Sequence, residues 1–510
     1  MALKLSERTH PLFEDNLSKW NMYKDSALGG DSFINDTYLM SHRLEDAEDY
    51  TERLDRAYFL NFCDTIPSLF NSFIFREKIE RPADPDLDTF RTNIDQKGSS
   101  ISEFVKRAGY YSSIFGSIHA LVDTPYFEKG KYSKRDVKEN GIYPYASLIF
   151  PHQLRDWSLD RQGNFRWVII EQVYYSDADP NIERDEQLHY KLITRDKWKV
   201  EDDKGNAATY DDGAPNSGPN ALGIVPLVTM YHKDIDDNKV GESMLKDIVF
   251  INRAILNWCS CIDEQIERQT FSQLIIPDDG SSDDNDDTGD PLRQLSTSSI
   301  WTFPSESRHP PAFISPNTDN ISVIWSLVLD HIKEIFRLSG LQGGTSDLTT
   351  AKSGRQSQMS FIGVNSCLAE KAMKYGKFEN ELSKIAYLFT NKDPSNYIPV
   401  IYPSNFNTVS VNEEINTYFQ IMEKNFSVTL NKSLMKTIAR RSVPTAPYDV
   451  QKTIEDEIEA HSGVIEVAVV EEEEAVPEKD GQGNTNTNLG DTSKSTDDLH
   501  KEVVGKHKKE

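Results

Sequence analysis

SMLKDIVFINRAILNWCSCIDEQIERQ, residues Ser243–Gln269, is the stretch on which the reading of this chain turns. Leu245, Ile248, Ile255, Cys259, Ile262 and Ile266 recur at alternating steps of three and four, interrupted only by Asn252. That spacing predicts a long amphipathic helix with a coiled-coil-like seam. Its length would be roughly 40 Å. A second stretch, NISVIWSLVLDHIKEIFRLS (Asn320–Ser339), repeats the pattern through Ile321, Trp325, Val328, Ile332 and Ile335. Asn320 is its expected N-cap, and Gly340 follows its end. Two such helices can lie antiparallel, pack along one stripe and present apolar surface to neighbours.

Between them lies an insert. It opens with the acidic run DDGSSDDNDDTGD (Asp278–Asp290) and goes on to a strand-like Ser299–Phe303 and the Pro-rich HPPAFISP (His309–Pro316). Asp284, Asp286, Thr288 and Gly289 match the start of a calcium loop, but the twelfth position is Leu295 where a bidentate Glu is required. The run therefore reads as a solvated loop. After the second helix comes GLQGGTSDLTTAKSG (Gly340–Gly354), then a third long helix expected from Gln356 to Thr390, a strand Tyr397–Tyr402, and shorter helices at Asn412–Lys424, Lys432–Arg441 and Asp449–Ala460. Asn412 and Asp449 are the expected caps of the first and last. Beyond His461 the composition predicts disorder.

Before Ser243 the pattern is mixed. Helical periodicity runs from Leu44 to Phe75 and again from Ser102 to Phe115. Strands are expected at His119–Asp123, Ala146–Phe150, Phe165–Tyr175, Leu188–Thr194 and Val225–Tyr231, with a turn at Arg161–Asn164. The fold class expected is α+β, mainly helical.

A formal net charge of -26 argues against a protein that grips phosphates over its whole surface. Four scattered cysteines do not make a disulfide framework, and Cys259-x-Cys261 reads as buried thiols rather than a metal site. The N-terminal MALKLSERTH shows no apolar leader, and no 20-residue apolar window suggests a membrane span. No phosphate-binding glycine loop, zinc-protease motif, nucleophile elbow or paired CxxC occurs. The expectation is a non-enzymatic protein without cofactor or metal.

The segment Trp20–Arg76 carries Gly29, Gly30, Tyr38, Leu39, Glu45, Tyr50, Arg53, Leu54, Arg56, Ala57, Asn61, Phe75 and Arg76 in an order that resembles the start of tailed-bacteriophage portal proteins. The resemblance continues through GSSISEFVKRAGYYSSIFGSIHALVDTP (Gly98–Pro125), YPYASLIFPHQLRDW (Tyr143–Trp157) and IVPLVTMYH (Ile224–His232). It resumes in Lys352–Ala386 and in Asn425–Glu459, and so covers about residues 15–460 in order. It implies an α/β wing (1–242), stem helix 1 (243–271), a small α/β clip (272–319), stem helix 2 (320–339), a tunnel loop (340–356), a long wing helix with return strand (357–410), crown helices (411–461) and a disordered acidic tail (462–510).

What the resemblance implies in function is a capsid-vertex ring, a homododecamer acting as head-tail connector. Double-stranded DNA would pass through it, without sequence specificity, during viral genome packaging and ejection. The expected partners are other copies of the chain, the major capsid protein, a scaffolding protein, the large terminase and a tail adaptor, in the virion and, during assembly, in the host cytoplasm. Gly340, Gly343, Gly344, Lys352 and Arg355 would face DNA. Leu245, Ile248, Ile255, Ile262, Ile266, Trp325, Val328 and Ile332 would pack the stem, and Pro310, Pro311 and Pro316 would stiffen a docking clip. Two other readings stand beside this one. A minor capsid or scaffold-like protein would share the composition, and a metal-dependent nuclease would need a close carboxylate pair that the folded segments do not offer.

Overall fold

The computed structural model describes residues 3–43, 45–76, 79, 81–125, 142–176, 181, 184–210, 214–234, 238–270, 273–275, 312–314, 319–341, 354–404, 406, 411–443 and 448–463. The chain is mixed α+β, with about half of the described residues helical. It divides into two compact units, Met1–Asn407 and Thr408–Glu510.

The first unit begins with helix α1 (Pro11–Leu28), for which the periodicity had given no expectation. His10 accepts from Leu12 N–H as N-cap, Pro11 takes the first helical position, and Phe13, Trp20, Tyr23 and Ala27 face the core. The single periodic run expected over Leu44–Phe75 is two helices, α2 (Ala47–Arg56) and α3 (Phe62–Ile74). The break has a cause. Ala57 is extended, Asn61 caps α3 by accepting from Asp64 N–H, and the Leu60 carbonyl and Phe62 N–H are bonded by Asn252. A short helix α4 (Asp88–Thr92) precedes α5 (Ile101–Phe115), which starts on a reciprocal capping box between Ser100 and Glu103.

Helix α5 runs into β1 (Ser117–Asp123), the centre of an antiparallel sheet of order β2-β1-β8, with β2 at Tyr145–Ile149 and β8 at Leu227–Tyr231. A second antiparallel sheet has the order β3-β4-β5-β6-β7. Its strands are β3 (Leu154–Leu159), β4 (Phe165–Ser176), β5 (Asp185–Thr194), β6 (Lys197–Asp202) and β7 (Ser217–Pro219). The turn between β3 and β4 falls where Arg161–Asn164 predicted it, because Asp160 accepts from Gln162 and Asn164 N–H and Gly163 takes φ 79°.

Helix α6 (Ile248–Thr270) starts five residues later than the apolar spacing implied. Ser243 cannot enter the helix, since its hydroxyl donates to Ser113 and Ile114 carbonyls and accepts from Leu245 N–H. Strand β9 (Gln273–Ile275) follows α6 and pairs antiparallel with β10 (Ala312–Ile314), which precedes α7 (Asp319–Leu338). Asn320, the expected cap, lies inside α7.

The third long helix, α8 (Gly354–Phe389), packs across α5 and the three-stranded sheet through Leu368, Ala372, Tyr375, Phe378, Leu382 and Ala386. Gly109 of α5 is required there, because a Cβ at that position would sit 2.1 Å from the Tyr375 ring. The expected strand Tyr397–Tyr402 joins no sheet among the described residues. The α8 side chain Asn380 stands in for a neighbouring strand: its Oδ1 accepts from Val400 N–H and Tyr397 OH, and its Nδ2 donates to Val400 O.

In the second unit the described residues form α9 (Val411–Glu423), α10 (Val428–Ser442) and α11 (Tyr448–Ala460). Asn412 and Asp449 lie within helices rather than capping them, whereas Ser427 caps α10. Buried Asn431 donates to Asn425 Oδ1 and Gly463 O, and Lys436 pairs with Glu459.

Candidate interaction surface

Helices α6 and α7 form the one long apolar pair that the sequence singled out, and their lower ends are pinned to the body. Asn252, near the start of α6, accepts from Phe62 N–H and donates to Leu60 O. Phe336, near the end of α7, meets the same Phe62 edge-on at 5.9 Å. The end of one helix thus lies beside the beginning of the other, which makes the pair antiparallel. Asn257 accepts from Met40 N–H and donates to Tyr38 O. Buried Arg53 makes two bonds to Glu45, at 2.6 and 2.7 Å, and further bonds to Ser260 and Met40 O. The guanidinium holds the Glu45 carboxyl down to about 2. Farther along, Arg56 pairs with Glu264 and Glu267.

Ile248, Ile255, Cys259 and Ile262 of α6 and Val328 and Ile335 of α7 are buried in the core, with Ile321 and Ile332 partly buried against it, and Leu245, also buried, lies just before α6. Two of the expected seam residues depart from this. Ile266 is 46% exposed and Trp325 is 43% exposed. They are not alone. Trp325 and Leu329, one turn apart, lie on one flank of the buried stripe, and Val323 (67% exposed) and Leu327 lie on the other. Residues two apart on a helix point nearly opposite ways, so α7 carries apolar surface on both sides of its seam. Phe250 and Trp258 add exposed aromatic area on α6.

The loop after α7 begins at Gly340, which is a helix terminator. At φ 79° its N–H donates to Arg337 O, and Leu341 N–H donates to Phe336 O, the two bonds of a Schellman ending. Gly340, expected in the loop, thus closes the end of α7. Arg355 stands in the first turn of α8, not in a loop. Gly343, Gly344 and Lys352, the prolines 310, 311 and 316, the acidic run Asp278–Asp290, Ser299–Phe303 and the tail from 464 lie outside the described residues.

Under the foot of α7 a cleft of about 310 Å³ opens between Ser339, Gly340 and α8. Its floor is Lys371, a buried lysine that periodicity gave no reason to notice. Lys371 Nζ donates to Ser113 Oγ and lies 3.2 Å from His232 Nδ1. Burial, aided by nearby Lys374, pushes the amine down to about 7, and burial with the same lysines holds His232 well below its ordinary range. Cys259 is buried as expected, but Cys261 is half-buried; Cys63 is buried and Cys367 is exposed.

Among the described residues no cluster of His, Cys, Asp and Glu could hold a metal ion, and no helix is long and apolar enough to cross a membrane. No family model matches the chain, and no curated protein matches it.

Proposed function

We propose that this chain is the subunit of a portal-type ring, a channel at one capsid vertex through which double-stranded DNA is packaged and ejected. The observation that carries the proposal is the pair of unlike apolar flanks on α7. A ring is closed by head-to-tail contacts in which one face of a subunit meets a different face of the next. A self-complementary dimer would need one such patch; a ring needs two. The antiparallel α6/α7 pair supports this reading by its place in the chain, where the resemblance implies a stem with a clip between its helices and a tunnel loop after them.

Passage of DNA needs weak, sequence-independent contact, because a wall dense in Lys and Arg would hold phosphates and exchange them for counterions. A net charge of -26 fits a passage better than a grip. In this reading Lys352 and Arg355 supply the few basic points near phosphate, and the segment between β9 and β10 docks the terminase and the tail adaptor. The subunit number implied by the resemblance is twelve. The role is structural, without catalysis or cofactor.

Imaging the purified protein by electron microscopy and weighing it by mass photometry tests this directly. Rings with a central hole and a mass of many subunits are expected. A monomer, or a closed dimer, at all accessible concentrations overturns the proposal.

A further inference from the structure

A second cavity, independent of the helix pair, lies where the five-stranded sheet meets the edge strand β2. It measures about 430 Å³, within the range of small-molecule sites. Ser147 on β2 and Gln153 just after it form one wall, and Gln172 and Tyr174 on β4 with His189 on β5 form the other. Gln172 and His189 are directly opposed in the β4–β5 register, so both side chains stand on the same face of the sheet. Tyr210, from the segment after β6, closes over them.

Three features define what would fit. First, the lining is aromatic in an ordered way. The Tyr174 and His189 rings stack at 5.1 Å with 11° between planes, and Tyr210 stands perpendicular to both at 5.2 and 5.1 Å. Second, His189 is buried to 1% exposure, yet its Nε2 finds no hydrogen-bond partner among the described residues. A buried ring nitrogen left unpaired costs free energy. Third, no charged side chain is among the described residues lining the cavity, while Gln172 and Gln153 offer amides and Ser147 a hydroxyl. The Gln153 carbonyl oxygen already accepts from Phe150 N–H, which turns its NH₂ into the group left for a ligand.

We propose that this cavity binds an uncharged planar heteroaromatic ring with donors and acceptors on its edge, of the nucleobase class. A flat ring matches the aromatic walls, and a side-chain amide reads a paired donor and acceptor on a base edge. The uncharged lining separates it from a phosphate or carboxylate site. Two sources supply this chemistry, a free nucleoside and an unstacked base of a single strand.

The full-length protein is titrated with adenosine, guanosine, cytidine and thymidine, and separately with single-stranded homopolymer oligonucleotides, followed by ligand-observed NMR. Saturable binding of at least one nucleoside is expected. It should weaken roughly tenfold in Gln172→Leu, the loss of one hydrogen-bonded edge contact, and more in Tyr210→Ala, with the melting temperature of each variant checked against the parent. Binding by oligonucleotides alone, with the same two sensitivities, assigns the site to an unstacked base. No saturation by either at millimolar concentration overturns the proposal. So does binding unaffected by both substitutions, or saturation by N-acetyltryptophanamide in place of every nucleoside.

Discussion

Helices α7 and α8 are both long, both rich in apolar residues, and they follow one another in the chain, yet they resolve their burial in opposite ways. On α8 the apolar face is covered by the chain's own α5 and sheet, and among its described large apolar residues Met373 alone stands out as exposed. That helix even buries Lys371 and Glu379. On α7 a narrow stripe is covered by α6, and Val323, Trp325, Leu327, Leu329 and Leu338 remain exposed. An apolar residue on α8 therefore supports the fold of one chain, whereas one on the α7 flanks has area left for another.

The sharpest way to break that contrast is one substitution on each helix. Leu368→Ala on α8 should lower unfolding free energy by about 2–5 kcal/mol, read by denaturant unfolding. Val323→Glu and Trp325→Glu should each change the unfolding of the isolated chain by no more than about 0.5 kcal/mol while abolishing large assemblies. Because the two flanks are proposed to be complementary halves of one contact, mixing the two glutamate variants should restore dimers but not rings. Rings from the mixture, or from either variant alone, would dissolve the distinction between the helices.

A second test concerns the anchoring of α6. Arg53→Ala leaves Glu45 buried without its partner and should cost about 3–5 kcal/mol. The sign of its pH dependence follows from the lowered Glu45 value. The pair stabilises the fold above the ordinary carboxyl value of 4.5, and this stabilisation is lost as pH falls toward 2. Acid unfolding curves of the variant should lack that limb.

Lys371→Met sharpens the α8 side of the comparison. With a folded value of about 7 against an unfolded 10.5, the unfolded chain binds the extra proton between those limits, so parent stability should rise with pH across that window. The slope is at most about 1.4 kcal/mol per pH unit, and the methionine variant should be more stable at neutral pH and flat. A local effect is expected for Gly340→Ala. The strained left-handed position should cost about 1 kcal/mol and fray the end of α7, visible in hydrogen exchange at Leu338 and Leu341.

The elements that rest on a clean period were legible in the sequence. Helix α7 and strands β1 and β4 fall within about two residues of where their apolar spacing put them. The misses share a physical cause, which is that tertiary hydrogen bonds redirected the backbone. Asn252 reached across to break the run between α2 and α3, Ser243 was held out of α6 by α5 carbonyls, and Asn380 replaced a strand partner for Tyr397–Tyr402. None of these contacts leaves a mark in a local window. The α6/α7 pair was legible as an apolar pair, but periodicity cannot say what covers a stripe, and so Trp325 and Ile266 were assigned to a seam that does not enclose them. The Tyr174, His189 and Tyr210 cavity had no signal at all, since its residues come from four separate segments.

Asn252 also fixes where α6 sits along the body. An apolar interface between helices tolerates sliding, because one leucine-sized knob can replace another after a full turn. The side-chain amide does not share that indifference: moved by one turn, about 5.4 Å, the buried Asn252 would lose both the Leu60 carbonyl and the Phe62 N–H and be left unpaired. A single residue thus acts as a vernier, setting how far the helix pair projects from the body. In any repeating assembly of such chains, that setting would be copied to every subunit at the same height.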